Sequence, residues 1–243
     1  YGIGQNSPFD PVVPGYFYRT NDEGKYTNGS GCGNEVATER PMVRKYIKDS
    51  VKYLAKEYDV DGFRFDLMGL IDTKTMSELT TELRNEIDPS LIIYGEPWQA
   101  GGSALPQEQQ TLKGSQKGKG FAVFNDTFRG AIKGDSDGAG QGFATGASGK
   151  EGAIVTGVKG SVDDFTDSPS ETINYVTAHD NLNLWDKIIK SAGKEKAAGF
   201  LEMRDGALTG EDANKYSSVQ EAVEKKAKPY SVITETNPLD NEY

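Results

Sequence analysis

Apolar residues recur along the chain in two alternating rhythms. Between Arg40 and Tyr58 they fall at Val43, Ile47, Val51, Leu54 and Tyr58. This is the spacing of a helix packed on one face, and Pro41 suits its first turn. From Gly62 to Asp66 the rhythm changes to alternation, with Phe63 and Phe65 set against Arg64 and Asp66. That pattern predicts a strand with one greasy and one charged side. Helical spacing returns from Thr73 to Ile87 through Met76, Leu79, Leu83 and Ile87, with Asp72 as N-cap and Pro89 beyond the end. Leu91-Ile92-Ile93-Tyr94 is too short for a helix and predicts a strand buried on both faces. A third strand is expected at Phe121 to Phe124, a short helix from Asp126 to Lys133, and a fourth strand from Thr172 to Thr177. A last helix from about Asn183 to Ala192 turns Leu184, Trp185, Ile188 and Ile189 inward and stops at Gly193.

The segments between these elements are uneven. Tyr1 to Glu39 is rich in Gly, Pro, Asn and aromatics and has no period; it reads as a long surface loop, a kind more often functional than inert. Gly134 to Gly160 is glycine-dense and reads as an excursion over the surface. Beyond Gly193, Tyr216 to Ala227 is expected as an exposed charged helix, with linker at the end. The domain reading is therefore a loop region over 1–39, a core with the site-bearing strands over 40–193, and a peripheral helix and linker over 194–243. Strands alternating with helices imply βαβ units and a parallel α/β sheet. Parallel strands that each finish on a polar cluster gather those clusters at one end, where such sheets keep their active sites.

Composition narrows the partners. The chain has 243 residues, of which 35% are hydrophobic and 26% charged, enough to bury a core. Its formal charge of −10, from 27 basic against 37 acidic residues, comes without any Lys/Arg cluster interleaved with aromatics, which disfavours nucleic acid. No stretch reaches the roughly 18 consecutive apolar residues of a membrane span. Cys32 is the only cysteine, so an intrachain disulfide framework and a thiolate zinc cluster are excluded.

Three carboxylates, Asp66, Glu96 and Asp180, stand at the ends of three predicted strands, with Arg64 and His179 beside them. If Asp66 and Glu96 lie about 5 Å apart, the pair suits a retaining glycosidase, in which one carboxylate attacks the anomeric carbon and the other protonates the departing oxygen. Crowding by Asp66 and Asp180, with Pro97 and Trp98 alongside, is expected to keep Glu96 protonated while Arg64 keeps Asp66 ionised. Each residue alone has a plainer reading. Asp66 could cap a helix, Glu96 could begin a loop, His179 could be a satisfied core histidine, and Trp98 and Trp185 could be core. Their joint occurrence at the ends of apolar runs favours the functional reading. Other chemistries lack their parts. One His, one Cys and the fragment Asp135-Ser136-Asp137-Gly138 do not make a metal site, and there is no G-x-S-x-G elbow, P-loop or G-x-G-x-x-G. Neither a metal nor a cofactor is expected. Two short glycosylation sequons, at Asn28 and Asn125, are weak signals.

Gly62-Phe63-Arg64-Phe65-Asp66, Gly95-Glu96-Pro97-Trp98 and Ala178-His179-Asp180-Asn181 resemble, in order and spacing, the second to fourth conserved regions of the α-amylase family of glycoside hydrolases. The flanking wording from Val13 to Arg19, from Gly31 to Glu35, from Phe65 to Gly69 and from Asn174 to Trp185 is similar to that of type I pullulanases, which cleave α-1,6 branch linkages. The resemblance runs from roughly Phe9 to Trp185. It implies Asp66 as nucleophile, Glu96 as general acid/base and Asp180 as the carboxylate that grips sugar hydroxyls, with Arg64, His179, Trp98 and Asn181 contacting substrate. The implied substrates are branched α-glucans: pullulan, glycogen, amylopectin or limit dextrins. Isoamylase, branching enzyme and α-amylase share the same acid and nucleophile, and a non-catalytic glucan-binding barrel is a further alternative. Compartment is left open.

The family fold is a (β/α)8 TIM barrel, and four strands are found here. The family's first conserved region, a strand ending Asn-His, is missing, and His179 is the only histidine. The chain therefore reads as part of a barrel, roughly strands four to seven with long inserted loops. It is expected to be unstable and inactive alone, because part of a barrel leaves parallel edges and an apolar interior exposed.

Overall fold

The computed structural model describes residues 7–193, and the helix expected over 216–227 lies outside them. The described chain divides into two compact units, one of residues 7–124 with 159–173 and one of 125–158 with 174–193.

The first unit contains a four-stranded parallel sheet. Helix α1 (Pro41–Tyr58) leads into β1 (Gly62–Phe65), α2 (Thr73–Glu86) into β2 (Ile92–Gly95), and β3 (Ala122–Phe124) and β4 (Thr172–Ile173) complete the sheet. Its order is β1-β2-β3-β4, every pair parallel. Strands laid down in sequence order, with no switch point, follow the winding of an α/β barrel and not that of a doubly wound sheet.

Alternation in the strands gives the sheet two different faces. Ile93 and Val123 enter a core with Val51, Ala55, Met68, Met76, Leu79, Leu83, Leu91, Phe121 and Phe165, against which Phe63 and Phe65 also pack. Arg64, Tyr94, Ala122 and Phe124 belong to the opposite parity of the pleat. The α2 reading holds: Met76, Leu79 and Leu83 are buried, and the Asp72 side chain accepts from the Thr75 amide as N-cap. In α1 the buried stripe is Val43, Val51 and Ala55, whereas Leu54 and Tyr58 are exposed. Ala55, four residues after Val51, continues the buried stripe, so the core-facing side of the helix passes Leu54 and Tyr58 by. Ile92 is also exposed, at 55%, so β2 is not buried on both faces.

The loop before α1 is held by buried charge in place of regular structure. Arg19, 3% exposed, bonds Glu35 at 2.6 Å, Glu39 at 2.8 Å and Thr38 Oγ1 at 3.2 Å. Thr38 Oγ1 donates to Asp72 Oδ2 (2.8 Å), and Asp72 Oδ1 accepts from Arg44 Nη2 (3.0 Å). In the same loop Phe9 stacks on Phe17, and Tyr46 of α1 meets both rings edge-on.

In the second unit, α3 (Asp126–Lys133) has the predicted bounds, and α5 (Leu184–Ala192) is capped by Asn183, whose side chain accepts from the Asp186 amide. Trp185 and Ile188 are buried. The glycine-dense stretch departs from its reading as bare surface loop, because it contains α4 (Glu151–Val158). Glycine is a poor helix former, but Gly157 is there for closeness: a Cβ on it would lie 2.3 Å from the Phe128 ring of α3. β4 is shorter than predicted. After Ile173 the chain leaves the ladder, and the Asn174 side chain instead donates to Gly157 O (2.7 Å) and accepts from Asn125 Nδ2 (2.9 Å).

Burial pushes the Asp72 carboxyl up, but hydrogen bonds from Thr75 and Thr38 and the charge of Arg44 outweigh it and hold the group below its usual range. Glu35 is also held low: burial raises it, and Ser103, Arg19 and Thr27 overcome that. A carboxylate lowered in the folded state contributes stability above the unfolded value, near 4, and loses it as pH falls through the folded value. In the protein that carries this chain, the denaturant midpoint of the first unit should be flat from about pH 7 to 5 and fall below about pH 4. Asp72→Ala should cost about 1 kcal/mol or more at pH 7 and weaken that acid dependence, as read by equilibrium unfolding.

Candidate active site

The site begins with strand register. Phe65 pairs with Gly95, and the Glu96 amide donates to Phe65 O (3.1 Å), so Asp66 and Glu96 leave neighbouring parallel strands side by side. Their parity is that of Arg64 and Tyr94, away from the core face. Between them stands Arg64. Its Nη1 lies 3.0 Å from Asp66 Oδ1 and its Nη2 lies 2.7 Å from Glu96 Oε1. The guanidinium carbon sits 5.5 Å above the Phe124 ring, and Phe124 meets Tyr94 edge-on at 5.3 Å. One planar cation thus serves both carboxylates while resting on an aromatic floor, which a lysine could not do.

The two acids have different surroundings. The Asp66 side chain is 74% exposed and free to meet a ligand, whereas that of Glu96 is 7% exposed. Glu96 Oε2 accepts from the Leu67 amide at 2.7 Å. Both Glu96 oxygens therefore act as acceptors, one of them toward the Arg64 guanidinium. The register brings Asp66 beside Glu96 and also delivers Arg64 to both carboxylates.

Sequence reading missed the backbone that makes this fit. Leu67 adopts the left-handed region at φ 42°, unusual for a branched residue, which turns its amide toward Glu96. Gly69 donates to Glu96 O (3.2 Å) and Trp98 O (3.1 Å), and a Cβ there would lie 2.5 Å from Trp98 O. Glycine in Phe65-Asp66-Leu67-Met68-Gly69 was the one visible signal of that close approach. Tyr94 and Phe124 were legible only as members of apolar runs.

Trp98 follows Glu96 in the first unit and is half-buried. The remaining candidates lie in the second unit, on the irregular chain after β4. His179 and Asp180 are exposed, with Nε2 to Oδ2 at 3.4 Å. Asn181 has φ 68°, and its Nδ2 donates to Asp137 Oδ2 at 2.8 Å, while the Leu182 amide donates to Asp137 Oδ1 at 3.1 Å. Lys133 Nζ donates to Leu182 O at 2.6 Å, and buried Lys187 ion-pairs with Asp135. Within the Asp135-Ser136-Asp137-Gly138 fragment, Asp137 thus holds this segment by hydrogen bonds, while Asp135 pairs with Lys187 of α5. Among the described residues no group of three or more His, Cys, Asp or Glu is placed to hold a metal ion, and no helix is long and apolar enough to cross a membrane.

A parallel α/β sheet in sequential order, with an arginine-bridged carboxylate pair at adjacent strand ends, is part of an α/β-barrel catalytic domain. Comparison with known proteins gives the particular kind. No family model matches the chain. A pullulanase of Bacillus subtilis is 41% identical over 191 residues, covering 76% of this chain and 26% of that protein. The solved pullulanase of Bacillus acidopullulyticus superposes with a TM-score of 0.78 at 51% identity, over 82% of this chain and 25% of that one. The pullulanase of an Anoxybacillus species, solved with maltotriose, superposes with a TM-score of 0.72 at 44% identity, over 76% of this chain and 26% of that one. The chain corresponds to a pullulanase-type segment of a catalytic domain and spans about a quarter of the length of these relatives.

Arg64→Ala should destabilise the first unit by about 1–3 kcal/mol, since it strips Glu96 of a charged partner. Arg64→Lys should recover only part of that, because an ammonium cannot fork to two carboxylates. Chemical denaturation of the two variants, made in the protein that carries this chain, checks both.

Proposed function

We propose that the protein carrying this chain hydrolyses α-1,6 branch linkages in pullulan, glycogen or starch-derived glucans, with retention at the anomeric carbon. The single observation that carries the reading is the pairing of Asp66 and Glu96 on adjacent parallel strand ends around Arg64. Neighbouring strands lie about 4.8 Å apart, which suits the roughly 5–5.5 Å between the carboxyls of a retaining pair better than the wider gap of an inverting one.

In this mechanism the exposed Asp66 attacks the anomeric carbon, and the bond to the glycosidic oxygen breaks as Glu96 supplies its proton. A glycosyl–Asp66 ester results. Glu96 then takes a proton from water, which attacks the same carbon and releases Asp66. Arg64 orients Asp66 for the attack through their ion pair. As the acid, Glu96 delivers the proton from one carboxyl oxygen while the other continues to accept from its protein donor, Arg64 at Oε1 or the Leu67 amide at Oε2. Asp180 grips sugar hydroxyls and steadies the oxocarbenium-like transition state. His179 and Asn181 assist it, and Trp98 offers an apolar platform. Relatives named as pullulanases, one of them bound to maltotriose, support α-1,6 glucan as substrate.

In the protein that carries this chain, Asp66→Ala and Glu96→Gln should each lower kcat on pullulan by about 10²–10⁴-fold or more. Maltotriose should be the product of the unaltered protein. Full activity in either variant, or products that mark α-1,4 cleavage, would sink the proposal. The 243 residues alone should hydrolyse no pullulan and show no cooperative thermal transition, because β1 and β4 are left as edges of the described sheet.

A further inference from the structure

The turn that carries Glu96 and Trp98 has no regular structure from Glu96 to Pro106, so its seat must come from elsewhere in the unit. Its contacts converge on Glu35, which lies in the loop before α1 and is 1% exposed. Glu35 Oε1 accepts from Arg19 Nη1 at 2.6 Å and from Ser103 Oγ. Oε2 accepts from Thr27 Oγ1 at 2.9 Å and from the Gly29 amide at 3.3 Å. Gly29 passes the hold onward, since its carbonyl accepts from both the Ala100 (3.1 Å) and the Gly101 (2.9 Å) amides. There is no slack in the seat: a Cβ on Gly29 would lie 2.7 Å from Glu35 Oε2 and 2.7 Å from Leu70 Cδ2. One buried carboxylate therefore fixes the turn at two places, directly at Ser103 and through the Gly29 backbone at Ala100 and Gly101. From the opposite side, Gly69 fixes the carbonyls of Glu96 and Trp98.

We infer that Glu35 is a positioning residue for the hydrolytic reaction, seating the Glu96–Ser103 turn through Ser103 and Gly29 without itself touching substrate. The inference rests on the reading of Glu96 as the acid. A buried carboxylate with four donors has one favourable orientation, because each charge-assisted bond is short and directional and the alternative leaves a buried donor unpaired. An acid that must present its proton to one glycosidic oxygen loses much of its rate when displaced by about 1 Å. Arg19 keeps Glu35 in place and is itself also paired with Glu39, so the hold extends back to the start of α1.

Glu35→Gln would set an NH₂ against donors on one side and disturb buried Arg19, so loss of activity there could reflect misfolding. Ser103→Ala is the sharper probe, as it removes only the tie to the turn and the Ser103 Oγ partner of the Leu105 amide. In the protein that carries this chain, Ser103→Ala should speed hydrogen exchange several-fold in a peptide spanning 96–103. It should also lower kcat on pullulan about tenfold, with KM and the thermal midpoint little changed. Ser103→Thr, which keeps the hydroxyl, should restore both. Unchanged exchange in Ser103→Ala, or faster exchange with unaltered kcat, would overturn the inference. If the unaltered protein does not hydrolyse pullulan, the functional reading fails instead, and the exchange measurement alone decides whether Glu35 seats the turn.

Discussion

Two carboxylates leaving adjacent parallel strands repel each other, and Arg64 is what makes their closeness tolerable. Its planar fork reaches Asp66 with one nitrogen and Glu96 with the other, and its face rests on Phe124. The arrangement depends on register: a slip of one residue between β1 and β2 would put the carboxylates on opposite faces and leave a guanidinium without its pair. The core enforces that register from the other side, because Phe63, Phe65, Ile93 and Val123 must all face α1 and α2 together.

Around this pair, long irregular segments are held by buried polar networks in place of helices and strands. Ordering such a loop costs backbone entropy at every residue, and buried charges add to the cost unless each finds a partner. Arg19, Glu35, Thr38, Asp72 and Arg44 meet that condition collectively. The same network that caps α2 therefore reaches the loop that seats Glu96. In the second unit, Asp137 and Lys133 play the corresponding part for the segment after Asp180, holding Asn181 in a left-handed conformation. In both units the candidate chemistry sits on irregular chain, fixed by ionic hydrogen bonds to neighbouring segments.

Much was legible along the chain itself. Helices α2, α3 and α5, the parallel sheet and the buried Met76, Leu79 and Leu83 follow from local period and capping, which depend on residues close in sequence. The alternation of Phe63 and Phe65 with Arg64 and Asp66 is also local, and it set the charged face of β1 before any partner strand was known. α4 was obscured because its glycines argue against a helix unless one knows that Gly157 lies against Phe128. β4 ended early because Asn174 found side-chain and loop partners that no periodicity encodes.

Sequence by itself determined that Asp66 and Glu96 stand at the ends of β1 and β2, because a strand's side-chain parity and its final residue are properties of a few consecutive positions, whereas Asp180, expected at the end of a longer fourth strand, lies on irregular chain beyond β4. Only the tertiary structure decided who their partners are. That Arg64 serves Glu96 as well as Asp66, that Leu67 bends into the left-handed region to meet Glu96, and that Glu35 reaches across 68 residues to Ser103 all depend on contacts between distant segments. The physical reason is that a hydrogen bond's partner is fixed by distance and direction in space, while periodicity fixes only which side of an element a residue occupies.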